Sequence, residues 1–294
     1  MNFKNYQREA QRTDQQKKLA GNEKDRLTIP LLGLAGEAGT LLSEFKKRFR
    51  DQDSYELFRP FLKEELGDIL WYVSNIATVM KFDMNEIAAE NIRKVRERWP
   101  AKNVAAKPTR FYDDRFPTKE QLPRELTVDF EEKKVDGETK VVITIDGKPF
   151  GNKLDDNFHE DDGYRYHDAF HLSYAAILGW SPMVRKLLEK KRKSHRPTDK
   201  IEDGARAGIL EEAIAVMVYA KAKEQDYFKK VPVDNGLLKT IRGMVAGFEV
   251  QTRTYSDWSL AITEGLKVFT QLRHHKGGKV AINMRKRSIT FSPW

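Results

Sequence analysis

GLAGEAGTLLSEFKKRF at residues 33–49, followed by KEELGDILWYV at residues 63–73, decides how this chain is read. Leu34, Ala38, Leu41, Leu42 and Phe45 recur at helical spacing in and around the first stretch, and Leu62, Leu66, Ile69, Leu70, Val73, Ile76 and Ala77 around the second. Both are amphipathic helices. Glu37 and Glu44, seven residues apart, then share a face, and Glu65 and Asp68 share one at i, i+3. If the helices pack antiparallel, four carboxylates converge inside an apolar bundle, where uncompensated negative charges repel strongly. A divalent cation resolves that conflict. The alternative is that Glu37, Glu44 and Glu64 are surface acids of ordinary amphipathic helices. Gly36, Gly39 and Gly67 favour the site, because a glycine inside a helix costs about 1 kcal/mol against alanine and usually marks close approach by a ligand or backbone.

Outward from this core, Tyr6 and Leu31 extend the helical pattern, and Pro30 is expected to open the second helix. Asp83 with Glu86 three residues on forms a capping-box pattern, starting a helix that runs to about Trp99-Pro100. Four helices fit into the first hundred residues. Periodicity then stops, and Pro108, Pro117 and Pro123 punctuate a polar stretch that reads as a linker. The expected division is a helical domain over 1–105, a linker over 106–123 and a second domain over 124–294. LTVDFEEKKVDGETKVVITIDGKPF alternates on both sides of Asp136-Gly137, and KVAINMRKRSITF alternates near the C-terminal end, so two β-hairpins are expected. Between them, Tyr164–Leu178, Pro182–Lys193, Glu202–Lys223 and about Asp257–Leu272 read as helices. The fold class is mainly α: an all-α helical bundle, then a helix-dominated α+β domain with two β-hairpins.

Composition narrows the chemistry. With no cysteine among 294 residues, disulfides, zinc-thiolate sites, iron–sulfur clusters and Cys nucleophiles are excluded, and a hard cation such as Mg²⁺ on carboxylates is favoured. No apolar run is long enough to span a membrane, and the first residues are too polar for a secretory signal, so a cytoplasmic location is expected. The net charge of +9 is uneven: 18 Lys+Arg against 16 Asp+Glu in the first hundred residues, 35 against 28 in the rest. The excess concentrates in VRKLLEKKRKSHR around Arg185 to Arg196 and in Arg273 to Arg287. Such stretches fit an anionic partner or simply a solvated helix face and a basic tail.

GEAG, then EELGDILWYV, then AAENIRKVRERW resemble the MazG-type all-α nucleoside triphosphate pyrophosphohydrolases, which are related to the dimeric dUTPases and carry an ExxE…ExxD signature. The resemblance covers about residues 25 to 100 and implies hydrolysis of an NTP or dNTP to monophosphate and pyrophosphate. It also implies Mg²⁺ (or Mn²⁺) on the acids and a helical bundle completed as a homodimer or higher homo-oligomer. By position, Glu37 is the first acid, Glu65 the third and Asp68 the fourth. Thr40 stands where the second acid belongs, and Glu44, one turn on, is expected to replace it as a metal ligand. Asn91 and Lys94 match the family's NxxK, with contact to the nucleotide's phosphates or sugar implied and Arg98 assisting. Glu64 or Glu65 would take the proton of the attacking water. Trp71 and Tyr72 fit either base stacking or the core.

The second domain has its own constellation, with His167 and His171 at i, i+4, Asp168 between them, and Glu202-Asp203 and Glu211-Glu212 further on. The histidines fit either a metal or phosphate site or buried, hydrogen-bonded core positions. LEEAIAVMVYAKA at 210–222 lays over KEELGDILWYVSNIA at 63–77, as a degenerate repeat would, with Ala215 in the place of Asp68. The region also resembles the C-terminal domain accompanying some bacterial MazG-like proteins. Two functions therefore stand: an Mg²⁺-dependent nucleotide pyrophosphohydrolase, or a catalytically impaired relative that senses a nucleotide or uses its basic stretches on nucleic acid, the less favoured partner.

Overall fold

The computed structural model describes all residues except 16–22, 99–109, 136, 157, 160 and 229–230, together with the side chains of 23–25 and 97–98. The chain forms two compact units, Met1–Arg96 and Glu97–Trp294.

In the first unit four helices follow one another: α1 (Phe3–Thr13), α2 (Glu23–Asp51), α3 (Phe58–Val79) and α4 (Met84–Arg98). α2 begins seven residues before Pro30, which lies inside it. The proline removes one N–H from the ladder and the helix continues through it rather than starting there. α3 packs along α2, and α1 along α3. Gln7 ties α1 to the α3–α4 turn: its Nε2 donates to Thr78 Oγ1 at 3.1 Å and Phe82 O at 2.8 Å, and its Oε1 accepts from Met84 N. Asp83 caps α4, with Oδ1 accepting from Asn85 N at 2.7 Å. The expected helix end at Trp99-Pro100 lies outside the described residues. Little of the unit's apolar surface is covered, since Leu31, Leu42, Phe49, Leu66 and Ile92 are all exposed.

In the second unit the two expected hairpins form one sheet. Strands β1 (Glu125–Val135), β2 (Glu138–Ile145), β3 (Lys148–Pro149), β4 (Gly277–Asn283) and β5 (Ser288–Ser292) pair antiparallel in the order β3-β2-β1-β4-β5. β1 is shared, with Phe130 opposite Ile143 on β2 and Gly278 on β4. Alternation sends Val128, Phe130, Val141, Ile143, Val280 and Ile282 into the core. The turn residue Asp136 lies outside the described residues.

Helices cover this sheet. α5 (Asp168–Ser173) continues as a π-helical turn (Tyr174–Leu178) and stops at Gly179 in the left-handed region, φ +68°. Every residue from Asp168 to Leu178 is buried, so this is the central helix of the unit. α6 (Pro182–Leu187), α7 (Arg196–Ile201), α8 (Ala205–Glu224), α9 (Asn235–Met244) and α10 (Tyr255–His275) surround it. α10 starts on a capping box of Thr254 and Asp257. It packs on α5 where Gly265 leaves room for Ser173, whose hydroxyl donates to Ala261 O at 2.5 Å.

Two expectations change here. Residues 110–123, read as linker, are built into the second unit: buried Asp113 accepts from Leu122 N at 2.8 Å and from Arg124 at 2.7 Å, and Glu120 accepts from Ser194 N and Oγ. Residues 101–109 lie outside the description. α6 ends at Leu187 instead of Lys193, because the chain turns to bring two arginines inward. Arg185 pairs with Asp113 at 2.7 Å, and Arg192 with Asp203 and Glu249, each at 2.7 Å. Both guanidiniums are almost wholly buried, so this part of the basic stretch is internal ion pairing and not a free face. In the other basic stretch, Arg287 pairs with Asp257, and Arg273 donates to the Tyr227 hydroxyl.

Candidate active site and a second polar cluster

Helical spacing brings Glu65 and Asp68 to the same side of α3, and α2 sets Glu37 against them. The three can each offer a carboxylate oxygen within 4.8 Å of the others. Glu65 is the most enclosed in chemical terms: its Oε2 is buried and has no hydrogen-bond partner. Burial first, then the adjoining Glu37 carboxyl and the charges of Glu37, Asp68 and Glu64, raise its pKa above the usual carboxylate range. Tyr6 of α1, read in sequence only as part of the apolar pattern, has its phenol pKa raised by burial and by the charge of Asp68. Nothing in the sequence near Tyr6 signals that approach, which comes from the packing of α1 on α3.

The other expected residues stand elsewhere. Glu44 is buried but outside the trio's reach; its carboxylate accepts from Lys47 Nζ at 2.5 Å and from the Tyr55 hydroxyl. Those hydrogen bonds hold its pKa down, and the carboxylate pushes the Tyr55 phenol up to about 12. Thr40 turns its hydroxyl back to Gly36 O at 3.3 Å. Glu64 is exposed on α3, and Asn91 and Lys94 are exposed on α4; the Arg98 side chain lies outside the described ones. Trp71 donates to Thr13 Oγ1 at 2.8 Å and packs edge-on against Tyr72, so both aromatics serve the bundle. The close approach expected at Gly36, Gly39 and Gly67 occurs instead at Gly33, where the Tyr72 ring fills the Cβ position. A Cβ at Gly36, Gly39 or Gly67 would meet nothing within 4 Å. Bare helix at these three positions faces open space.

In the second unit α5 and α8 bring together His167, Asp168, His171, Glu211 and Glu212. His171 Nδ1 lies 2.8 Å from Glu211 Oε1, and Glu211, itself fully buried, also accepts from Ser181 Oγ at 2.6 Å and Met183 N at 2.8 Å. His171 Nε2 is 3.3 Å from Glu212 Oε2, within ion-pair reach but without hydrogen-bond geometry. Burial pulls the His171 pKa down, yet the Glu211 carboxylate, Glu212 and Asp168 outweigh it and leave the pKa well above the ordinary value. Burial dominates at His167 and lowers its pKa. Glu211 and Glu212, aligned in sequence with Glu64 and Glu65, thus have surroundings unlike those of the trio, and Ala215 is buried.

A carboxylate trio on a two-helix seam, carried by a helical unit and followed by a helix-dominated α+β unit, defines the class of protein. The MazG C-terminal domain matches residues 107–294, and the MazG nucleotide pyrophosphohydrolase domain matches residues 30–102, which contain the trio. The chain belongs to the MazG family. It is similar to the Gene 37 protein of Mycobacterium phage L5, 34% identical over 74 residues that make up 24% of this chain and 65% of that protein. The chain thus spans a little under two thirds of that relative's length. No solved structure matches. Among the described residues, no helix is long and apolar enough to cross a membrane.

Proposed function

We propose that this protein hydrolyses nucleoside triphosphates, NTP or dNTP, to the monophosphate and pyrophosphate in the cytoplasm, with Mg²⁺ (or Mn²⁺) held by Glu37, Glu65 and Asp68. The observation that carries the reading is the trio itself: three carboxylates from two helices within 4.8 Å, one with a buried oxygen lacking any partner, inside a matched pyrophosphohydrolase domain. All-oxygen donors of this charge suit a hard divalent cation. When bound, that ion supplies neutralisation of the triphosphate and an acidic water.

The chain's own residues do the rest. Water attacks the α-phosphorus, the bond from that phosphorus to the bridging oxygen breaks, and pyrophosphate departs with the bonding electrons. The Glu65 carboxylate receives the water's proton, a role that its raised pKa suits, with Glu64 on the adjacent exposed position as the alternative acceptor. Open space over Gly36 and Gly67 leaves room for phosphates beside the acids. Asn91, Lys94 and Arg98 contact the phosphates or sugar. A homodimer covers the apolar residues that the first unit exposes.

Glu44 is committed to Lys47 and Tyr55, and Thr40 to its own helix, so the site works with three acids. That deficit supports the second reading, a nucleotide sensor without turnover. Internal pairing of Arg185 and Arg192 weighs against nucleic acid as the partner. The test is product analysis of the purified protein on a panel of NTPs and dNTPs with and without Mg²⁺, resolving pyrophosphate from orthophosphate. Monophosphate plus pyrophosphate, lost in Asp68→Asn, supports hydrolysis; nucleotide binding without turnover supports the sensor.

A further inference from the structure

We propose that the second unit holds a divalent first-row transition metal on His167, Asp168, His171 and Glu212, separate from the acid trio of the first unit. The tautomers carry the argument. His167 Nδ1 lies 2.9 Å from the backbone carbonyl of Tyr164, which can only accept, so Nδ1 bears the proton and Nε2 the lone pair. His171 Nδ1 faces the Glu211 carboxylate in the same way, so an ion bound at Nε2 takes the place of that nitrogen's proton. An outer carboxylate or carbonyl that holds Nδ1–H and leaves Nε2 free is how metal-ligating histidines are oriented. Glu211 is in turn fixed by Ser181 and the Met183 amide, and the Tyr164 ring stacks on His167 at 4.4 Å.

His167, Asp168 and His171 can each offer an atom within 4.8 Å of the others, and Glu212 faces both free nitrogens. His167 Nε2 is 3.7 Å from Asp168 Oδ1 and 3.9 Å from Glu212 Oε2, and His171 Nε2 is 3.3 Å from Glu212 Oε2. Ligands about 2.1 Å from a tetrahedral ion stand about 3.4 Å apart, so small side-chain adjustments close the set around one cation. His171 is 1% exposed, and its Nε2 makes no hydrogen bond and has only the 3.3 Å approach of Glu212. Two imidazoles with two carboxylates select Zn²⁺, Fe²⁺ or Mn²⁺ over Mg²⁺, which favours oxygen donors. The Glu212 side chain is 37% exposed and gives the ion its way in.

The test uses the full chain, stripped with a chelator, dialysed, and titrated with Co²⁺ in excess Mg²⁺. One equivalent should bind with the visible d–d absorption of nitrogen ligation, and Zn²⁺ should displace it. Glu212→Gln, at a half-exposed position that leaves the core intact, should weaken binding at least about tenfold, and His167→Ala should abolish the absorption, whereas Asp68→Asn should leave both unchanged. No Co²⁺ uptake, wild-type affinity in Glu212→Gln, or loss in Asp68→Asn each overturns the assignment. Circular dichroism on each variant separates loss of ligand from loss of fold.

Discussion

Tyr72 of α3 lays its ring where a Cβ of Gly33 on α2 would be, 2.2 Å from the ring Cζ. Gly33 lies one turn before Glu37, and Tyr72 one turn after Asp68, so this contact sets the interhelical spacing at which the acids meet. Gly33→Ala should therefore destabilise: overpacking costs about 1–3 kcal/mol, more than the roughly 1 kcal/mol that alanine gains in a helix. Adding Tyr72→Leu should return much of that loss, a coupling measurable by a denaturant double-mutant cycle. Gly36→Ala and Gly67→Ala meet no atoms and should stabilise by up to about 1 kcal/mol. A Gly33→Ala protein as stable as those two would contradict the packing account.

Loss of one acid should separate metal response from fold. Glu65→Gln and Asp68→Asn should each lower pyrophosphate release by about 100-fold or more. Without metal they should melt at or above the wild-type temperature, since each removes like-charge repulsion. Mg²⁺ should raise the melting temperature of the wild type and not of these variants. Glu44→Gln should keep its Mg²⁺ response, because Glu44 serves Lys47 and Tyr55.

Acid sensitivity should trace to the buried ion pairs of the second unit. Burial alone would raise the Asp113 pKa, but Arg124 and Arg185 and the Leu122 amide overcome it and hold the pKa below the ordinary value. A depressed carboxylate pKa gives stability that is present above the unfolded value, about 3.9, and lost as pH falls through the folded one. Asp113→Ala should cost about 3 kcal/mol at neutral pH by removing the carboxylate that both Arg185 and Arg124 bond at 2.7 Å, and this deficit should shrink as the pH drops below about 4. Urea titrations across pH provide the check; a deficit independent of pH would remove the ion pair from the explanation.

The exposed apolar side chains of the first unit should govern assembly. Leu42 is 69% and Phe49 78% exposed on α2, more than a lone bundle ordinarily leaves to water for residues of this size. Leu42→Arg and Phe49→Arg should shift the species seen in sedimentation velocity from dimer to monomer at micromolar concentration. A wild-type protein that is monomeric throughout would sink the homodimer proposal.

That Glu65 and Asp68 share a side of α3 is legible because helical period fixes which side chains share a face, whereas the approach of Glu37 depends on how α2 packs on α3. Glu44 obeys the same period but was claimed by Tyr55, from the turn after α2, a partner that spacing along one helix does not reveal. Arg185 read as a basic face because its acid, Asp113, lies 72 residues away in a stretch with no regular pattern. Gly36, Gly39 and Gly67 lie on the right helices but not at the contact: cost in a helix says that a side chain is unwelcome, not whether the obstacle is Tyr72 or open space. α9 does not stand out in the sequence from the polar turns around it, and alternation shows the two hairpins but not their union through β1.

That union has a consequence for synthesis. β1 pairs with β2 almost as soon as both exist, but its other edge waits for β4, since Glu125 and its partner Asn283 are 158 residues apart. At about 5–20 residues per second, a nascent chain carries that hairpin for roughly 7–26 seconds between the end of β2 and the start of β4, with one edge unpaired and Val128, Phe130, Val141 and Ile143 uncovered. The contacts within the first unit all lie before residue 97 and meet no such delay. During translation, therefore, the second unit is the part that needs protection from aggregation, and slowing the ribosome between β2 and β4 lengthens the period of risk.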